Sequence, residues 1–151
     1  NDLPIDERAR LGIGIMFQRP PTIRGVKLRQ MVDLMKQGDF DADREAGKLN
    51  LKTFLGRDVN LGFSGGEIKR SELLQLLAHS PQLSLFDEPE SGVDLENIVL
   101  LGKIMNRILN KNKGNAGLII THTGYIFDYV RPDEGCILVG GSLSVFCSIS
   151  L

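Results

Sequence analysis

Short apolar runs bounded by glycine, proline or acid alternate along this chain with longer stretches whose apolar residues recur at helical spacing. The opening segment, Ile5 to Leu11, is rich in helix formers, and GIGIMF after it is an apolar run that stops at QRPP. That order predicts a helix, a buried strand and a loop. Pro20 and Pro21 cannot continue a strand ladder, so the strand should end near Gln18. From Val26 to Gln37 the residues Leu28, Met31, Val32 and Met35 fall at i, i+3, i+4 and i+7, the spacing of one helix face. Residues 39–54 mix charge with scattered apolar positions and predict one or two short helices. Ser64 then opens a long helix carrying Ile68, Leu73, Leu74, Leu76 and Leu77, which Ser80-Pro81 closes.

LSLF leads into DEPESG, and GLIIT repeats the pattern further on. Between them Leu95, Ile98, Val99, Leu101, Met105, Ile108 and Leu109 mark a helix, with residues 111–117 as the turn out of it. Strand, helix, strand predicts a parallel crossover. After Asp133, CILVGGSLSVF alternates about Gly140-Gly141, the sequence form of a two-residue hairpin with both turn residues at positive φ. The expected architecture is one α/β domain over 1–151, with a core of mostly parallel sheet in two pieces, 1–18 and 80–151. A helical segment, 19–79, interrupts it.

Composition narrows the partners. At 151 residues, 42% hydrophobic and 25% charged, the chain has the make-up of one globular domain. A net charge of -1 gives no basic excess for nucleic acid, so none is expected as a partner. The longest apolar runs fall far below the roughly 20 residues that span a bilayer, so direct membrane insertion is not expected. Two cysteines, Cys136 and Cys147, do not make a disulfide framework; plain thiols in a reducing cytoplasm are the expectation.

Four features carry chemistry. FSGGE, Phe63 to Glu67, stands just before the long helix. Its glycines let backbone approach an anion, and Ser64 can cap a helix whose first-turn amides face outward. An SGG by itself is most often an ordinary cap, and only its company makes it more. In LSLFDEPESGVD, Leu83 to Asp94, an apolar strand ends in two carboxylates, which puts Asp87 and Glu88 at the carboxyl edge of a parallel sheet, where such folds bind ligands. One carboxylate suits Mg²⁺ and the next can polarise a water. His122 follows the strand GLIIT and can reach a terminal phosphate from the same edge. Gln18, at the exit of GIMFQRP, can ligate Mg²⁺ through its carbonyl. His79, before a proline on the long helix, is read as structural.

Glutamine loop, SGGE, DE, SGxD and histidine occur here in the order of the ATP-binding-cassette (ABC) ATPases, and the resemblance extends over essentially the whole chain. It implies a P-loop NTPase-type core with an inserted helical subdomain, ATP and Mg²⁺ as ligands, and a head-to-tail dimer with a second ABC ATPase subunit. On this resemblance Gln18 senses Mg²⁺ and couples core to helical segment. Ser64, Gly65, Gly66 and Glu67 form the signature that reads ATP on the other subunit. Asp87 associates with metal, Glu88 is the catalytic base, Asp94 is the dimer-contacting loop aspartate and His122 is the switch. The finer likeness is to the ATPase of the Suf iron–sulfur assembly system, through ERARLGI, FSGGEIKRSELLQLL and FDYVRPD, with a Suf-type scaffold as partner. A transporter's cytoplasmic ATPase is the neighbouring reading, and a non-catalytic partner-binding remnant the distant one. Pro89, Val93 and the ending SVFCSISL depart from the family pattern.

The phosphate-binding loop GxxxxGK[ST] does not occur in these residues: Gly47-Lys48 is followed by Leu49, and Gly102-Lys103 by Ile104. A βαβ unit needs roughly 30 residues, and 17 precede Gln18. The expectation is therefore a cassette lacking its N-terminal part, unable by itself to hold or hydrolyse ATP and with apolar faces uncovered.

Overall fold

A computed structural model describes residues 2–148, and of residues 145–148 the backbone alone. Helix α1 (Ile5–Arg10) leads into β1 (Ile13–Met16). An insertion follows, made of β2 (Ile23–Lys27), α2 (Leu28–Met35), α3 (Ala42–Lys48) and β3 (Asp58–Val59). Helix α4 (Gly65–His79) returns to β4 (Leu83–Asp87), α5 (Leu95–Leu109) crosses to β5 (Ala116–Ile120), and β6 (Glu134–Val139) and β7 (Ser142–Ser148) close the described chain as a hairpin. Gly140 and Gly141 turn that hairpin at φ of 56° and 82°, the left-handed values that a side chain would resist. Of the ending SVFCSISL, residues 149–151 and the side chains of 145–148, the Cys147 thiol among them, lie outside what is described; Cys136 is an exposed free thiol.

The central sheet is parallel, in the order β1-β4-β5. Register places Ile13, Ile15, Leu83, Leu85, Leu118 and Ile120 on one face, and Met16, Ser84, Phe86 and Ile119 on the other. The second face is the packed one: Met16 and Phe86 are 0% and 1% exposed against α4 and α5. Two glycines permit that closeness. A Cβ at Gly14 would come within 2.7 Å of Leu76, and one at Gly117 within 2.4 Å of Leu109. The first face is open, with Ile15, Leu118 and Ile120 at 44%, 55% and 56% exposure. Parallel sheets ordinarily bury both faces, so this one is half covered by the described residues.

Helix α4 is buried nearly all round, with Leu73, Leu74 and Ala78 fully enclosed and Leu76 and Leu77 close to it. It ends at Ser80 in a left-handed cap (φ 52°) followed by Pro81, as the sequence led one to expect. On the insertion side, α3 is tied to α5 through Glu45, which accepts from Arg107 and, at 2.8 Å, from Lys48. The Arg107 guanidinium, working against burial and helped by Lys48, holds the Glu45 carboxyl down to about 2.

The insertion corrects two expectations. Residues 19–79 are not wholly helical, because β2 pairs antiparallel with β3. The helix expected from Val26 begins at Leu28. Gly25 sits at φ 80°, outside helical geometry, and the first-turn amides are capped from a distance: Leu28 N–H donates to the Arg57 carbonyl at 2.9 Å and Arg29 N–H to that of Leu55 at 3.0 Å. The strand at GIGIMF also stops two residues sooner than expected, at Met16, leaving Phe17 and Gln18 in the exit loop.

The two faces of the sheet should respond differently to substitution. Phe86→Ala is expected to cost about 3–5 kcal/mol, while Leu118→Ser on the open face should stay within about 0.5 kcal/mol. Urea unfolding of each variant checks the pair.

Candidate active site at the carboxyl edge of the sheet

Each of the three parallel strands delivers one expected group as it leaves the sheet: β1 delivers Gln18, β4 delivers Asp87 and Glu88, and β5 delivers His122. Adjacent strands bring three of these into contact. Gln18 Nε2 donates to Glu88 Oε2 at 2.5 Å, and His122 Nδ1 lies 3.0 Å from Glu88 Oε1. Asp87 holds the last ladder position, opposite Ile120, and is half-buried. Glu88 takes φ 44°, a left-handed value that costs a side-chain-bearing residue free energy, while its N–H donates to the Ile120 carbonyl at 2.9 Å. Such strain gathers at functional positions. It turns the Glu88 carboxylate across the strand ends to Gln18 and His122.

The second group of expected residues surrounds the start of α4. Ser64 is exposed and caps the helix with Glu67 in a reciprocal pair: Ser64 N–H donates to Glu67 Oε2 at 2.7 Å, and Glu67 N–H to Ser64 Oγ at 3.4 Å. The Ser64 amide holds the Glu67 carboxyl below its ordinary range. Gly65 is required by contact, since a Cβ there would stand 2.8 Å from the Gly92 carbonyl oxygen. Gly66 lies over Asn97. Asp94 caps α5, accepting from Asn97 N–H at 2.9 Å and from its side-chain amide at 2.7 Å; that backbone N–H keeps the Asp94 carboxyl low. Arg70 of α4 donates to the Asn97 side-chain oxygen. The signature and the aspartate loop are thereby one bonded unit, separate from the Gln18–Glu88–His122 group.

Two buried charges on α4, absent from the sequence expectations, join these groups. Lys69 is 3% exposed and donates to three backbone carbonyls: Phe17 at 2.9 Å, Gln18 at 3.1 Å and Glu88 at 3.2 Å. Burial lowers its pKa, opposed by the charges of Glu72, Asp87, Glu88 and Glu90. Glu72, one turn on, accepts the Phe17 amide at 3.1 Å through Oε1, and its Oε2 is buried with no partner. Burial, against the pull of the Phe17 amide and Lys69, pushes the Glu72 carboxyl up to about 7. A sequence signal for both existed: Lys69, Glu72, Leu73 and Leu76 stand at i, i+3, i+4 and i+7, so two charges occupy the inward stripe of the helix.

A concavity of about 890 Å³ runs beside the site between α1, β1, α2 and α4 and is lined by Phe17, Met31, Glu72 and His79 among others. Glu88, His122 and Ser64 do not line it. Among the described residues no cluster of three or more His, Cys, Asp or Glu is arranged to hold a metal ion alone, and no helix is long and apolar enough to cross a membrane.

The chain is 37% identical over 154 residues to a probable ATP-dependent transporter of Cyanidium caldarium, and 35% identical over 156 residues to a probable ABC transporter ATP-binding protein of Streptococcus pyogenes serotype M3. These alignments take in 91% and 94% of the chain and 60% of each relative, so the chain spans about three-fifths of their length. No protein-family model matches it. Among solved structures, a dimeric ATP-binding cassette in a post-hydrolysis state with ADP and Pi superposes with a TM-score of 0.75 at 20% identity, over 99% of this chain and 69% of that one. A nucleotide-free cassette of an ABC transporter gives 0.70 at 20% identity, over 94% and 63%. The α/β fold expected from the sequence is the fold of these cassettes.

Glu72 sets a pH dependence. Its folded pKa, about 7, lies above its ordinary 4.5, so its contribution is fully present below about pH 4.5 and is lost as pH rises through 7. Glu72→Gln keeps an acceptor for Phe17 and has no charge to bury. Its stability relative to the parent is expected to rise by about 1–3 kcal/mol between pH 5 and pH 8. Denaturant melts of both proteins at the two pH values measure this.

Proposed function

The chain is a relative of the ABC ATPases in sequence and shares their fold, and on that premise we propose that it is the catalytic and signature portion of a Mg²⁺-dependent ATP-hydrolysing subunit. The convergence of Gln18 and His122 on the strained Glu88, at the carboxyl edge of a parallel sheet, carries this reading. The exposed, glycine-opened start of α4 supports it.

Glu88, steered by both neighbours, takes the proton of the attacking water. His122 meets Glu88 through Nδ1 and, with both ring nitrogens carrying a proton, would donate from Nε2 to the terminal phosphate and keep water, base and phosphorus in line. Asp87 and the Gln18 carbonyl are oxygen donors that would hold a hard cation. Mg²⁺ bound there would neutralise the developing phosphate charge. Ser64, Gly65 and Gly66 offer amides and a hydroxyl to the γ-phosphate of ATP held by a second subunit, in a head-to-tail dimer. Glu67 keeps Ser64 in place and Asp94 fixes the neighbouring loop.

For the work driven by this cycle, the relatives named as transporter ATP-binding proteins favour a membrane transporter, with the subunit on its cytoplasmic side. The Suf-type reading, ATP-driven iron–sulfur assembly on a soluble scaffold, rests on the likeness of ERARLGI, FSGGEIKRSELLQLL and FDYVRPD alone. Co-purification with a membrane permease or with a soluble β-helical scaffold separates the two.

In the full-length protein Glu88→Gln is expected to lower kcat by about a hundredfold or more while ATP still binds; unchanged turnover would reject Glu88 as the base. The 151 residues alone are expected neither to bind ATP tightly nor to hydrolyse it. Submicromolar ATP binding in a calorimetric titration of this stretch would overturn that.

A further inference from the structure

His122 is 64% exposed along its side chain, so little packing holds it over Glu88; its backbone must be fixed by something else. Glu90 is placed to do this. Two residues beyond Glu88 the chain turns inward, and Glu90 is only 5% exposed. Its Oε1 accepts the hydroxyl of Thr121 and, at 2.8 Å, that of Thr123, the two residues flanking His122. Thr121 Oγ1 in turn accepts Thr123 N–H at 3.2 Å and Gly124 N–H at 3.0 Å. The loop that carries His122 is wound around one carboxylate oxygen.

These contacts close a ring. It runs from Glu88 through the buried Pro89 to Glu90, across hydrogen bonds to Thr121 and Thr123, along the chain to His122, and back to Glu88 by the 3.0 Å contact. The proline fixes one φ inside it, and Glu88 enters it with a left-handed backbone. Hydrogen bonds to a buried carboxylate are stronger than neutral ones, and leaving a buried carboxylate without donors is costly, so the ring resists opening. Both threonine hydroxyls are turned to the acid.

We infer that Glu90 is a positioning residue, its carboxylate setting the height of His122 over Glu88 by gripping the threonine hydroxyls on both sides of the histidine. The inference rests on Glu88 and His122 acting on ATP. In the full-length protein Glu90→Ala should lower kcat roughly tenfold with KM for ATP changed by less than about twofold, and Glu90→Gln, which keeps a carbonyl acceptor, should recover most of the loss. With no nucleotide present, amide hydrogen exchange at Thr123 and Gly124 should quicken about tenfold in Glu90→Ala while Met105 within α5 keeps its protection. Thr123→Val, which removes one hydroxyl and leaves the buried acid, should show a smaller change of the same kind.

Wild-type exchange at residues 123 and 124 in Glu90→Ala and Thr123→Val would overturn the inference. So would a loss of kcat that Glu90→Gln does not recover, or one accompanied by equal loss of protection through α5, since either marks a general structural role. Should the wild-type full-length protein fail to hydrolyse ATP, the reading of Glu88 and His122 falls, and the exchange measurement alone decides whether Glu90 grips the loop.

Discussion

A buried ammonium has to be met by acceptors, and Lys69 meets peptide carbonyls from two different strand exits, those of β1 and β4. Taking a lysine charge out of water costs several kcal/mol unless the surrounding dipoles are already in place. Phe17, Gln18 and Glu88 therefore cannot shift independently without stranding that charge. Glu72 adds the Phe17 amide from the next turn of the same helix, so the exit of β1 is held at both its carbonyl and its N–H. The signature helix thus does more than present its exposed start: its inward face fixes the geometry in which Gln18 and Glu88 meet.

This gives a physical route between the two groups of residues. At its outer end α4 is joined to the aspartate loop through Arg70, Asn97 and the close approach of Gly65 to Gly92. At its inner face it is joined to the strand ends through Lys69. A displacement of the helix start can reach the Glu88 peptide along one rigid element, with no flexible linker in the path. The open, apolar face of the sheet lies on the opposite side from this machinery, and the packing beneath Phe86 and Met16 does not depend on it.

How far the sequence could be read depended on whether a feature was local. Ser64 with Glu67, Ser80 with Pro81, the paired glycines of the hairpin and the strand-end acids are each specified within a few residues, and each stands where the pattern put it. The convergence of Gln18 and His122 on Glu88 followed from parallel order, because adjacent strands that all end at one edge bring their next residues together. The start of α2 was misplaced because its capping carbonyls, those of Leu55 and Arg57, come from almost thirty residues away. The β2–β3 pair escaped because β3 is two residues long and β2 contains a glycine. Lys69 and Glu72 leave only a faint trace, charge on an apolar stripe, which helical polarity alone also produces. Glu90 left none: a third acid after Asp87 and Glu88 looks like solvated turn, and its burial depends on threonines thirty residues further on.

Among the described residues β1 pairs only with β4, some seventy positions later, and the whole insertion lies between them. The insertion has hydrophobic contents of its own, in Leu28, Val32, Ala46, Leu49, Leu51 and Val59, and short-range contacts within it form sooner than distant strand pairing. Once it has collapsed, the chain separating β1 from α4 is far shorter in effect than its residue count, which reduces the entropy lost on joining them. Sequence separation therefore favours the insertion forming ahead of the carboxyl edge of the sheet, so that the strained Glu88 meets elements already in place.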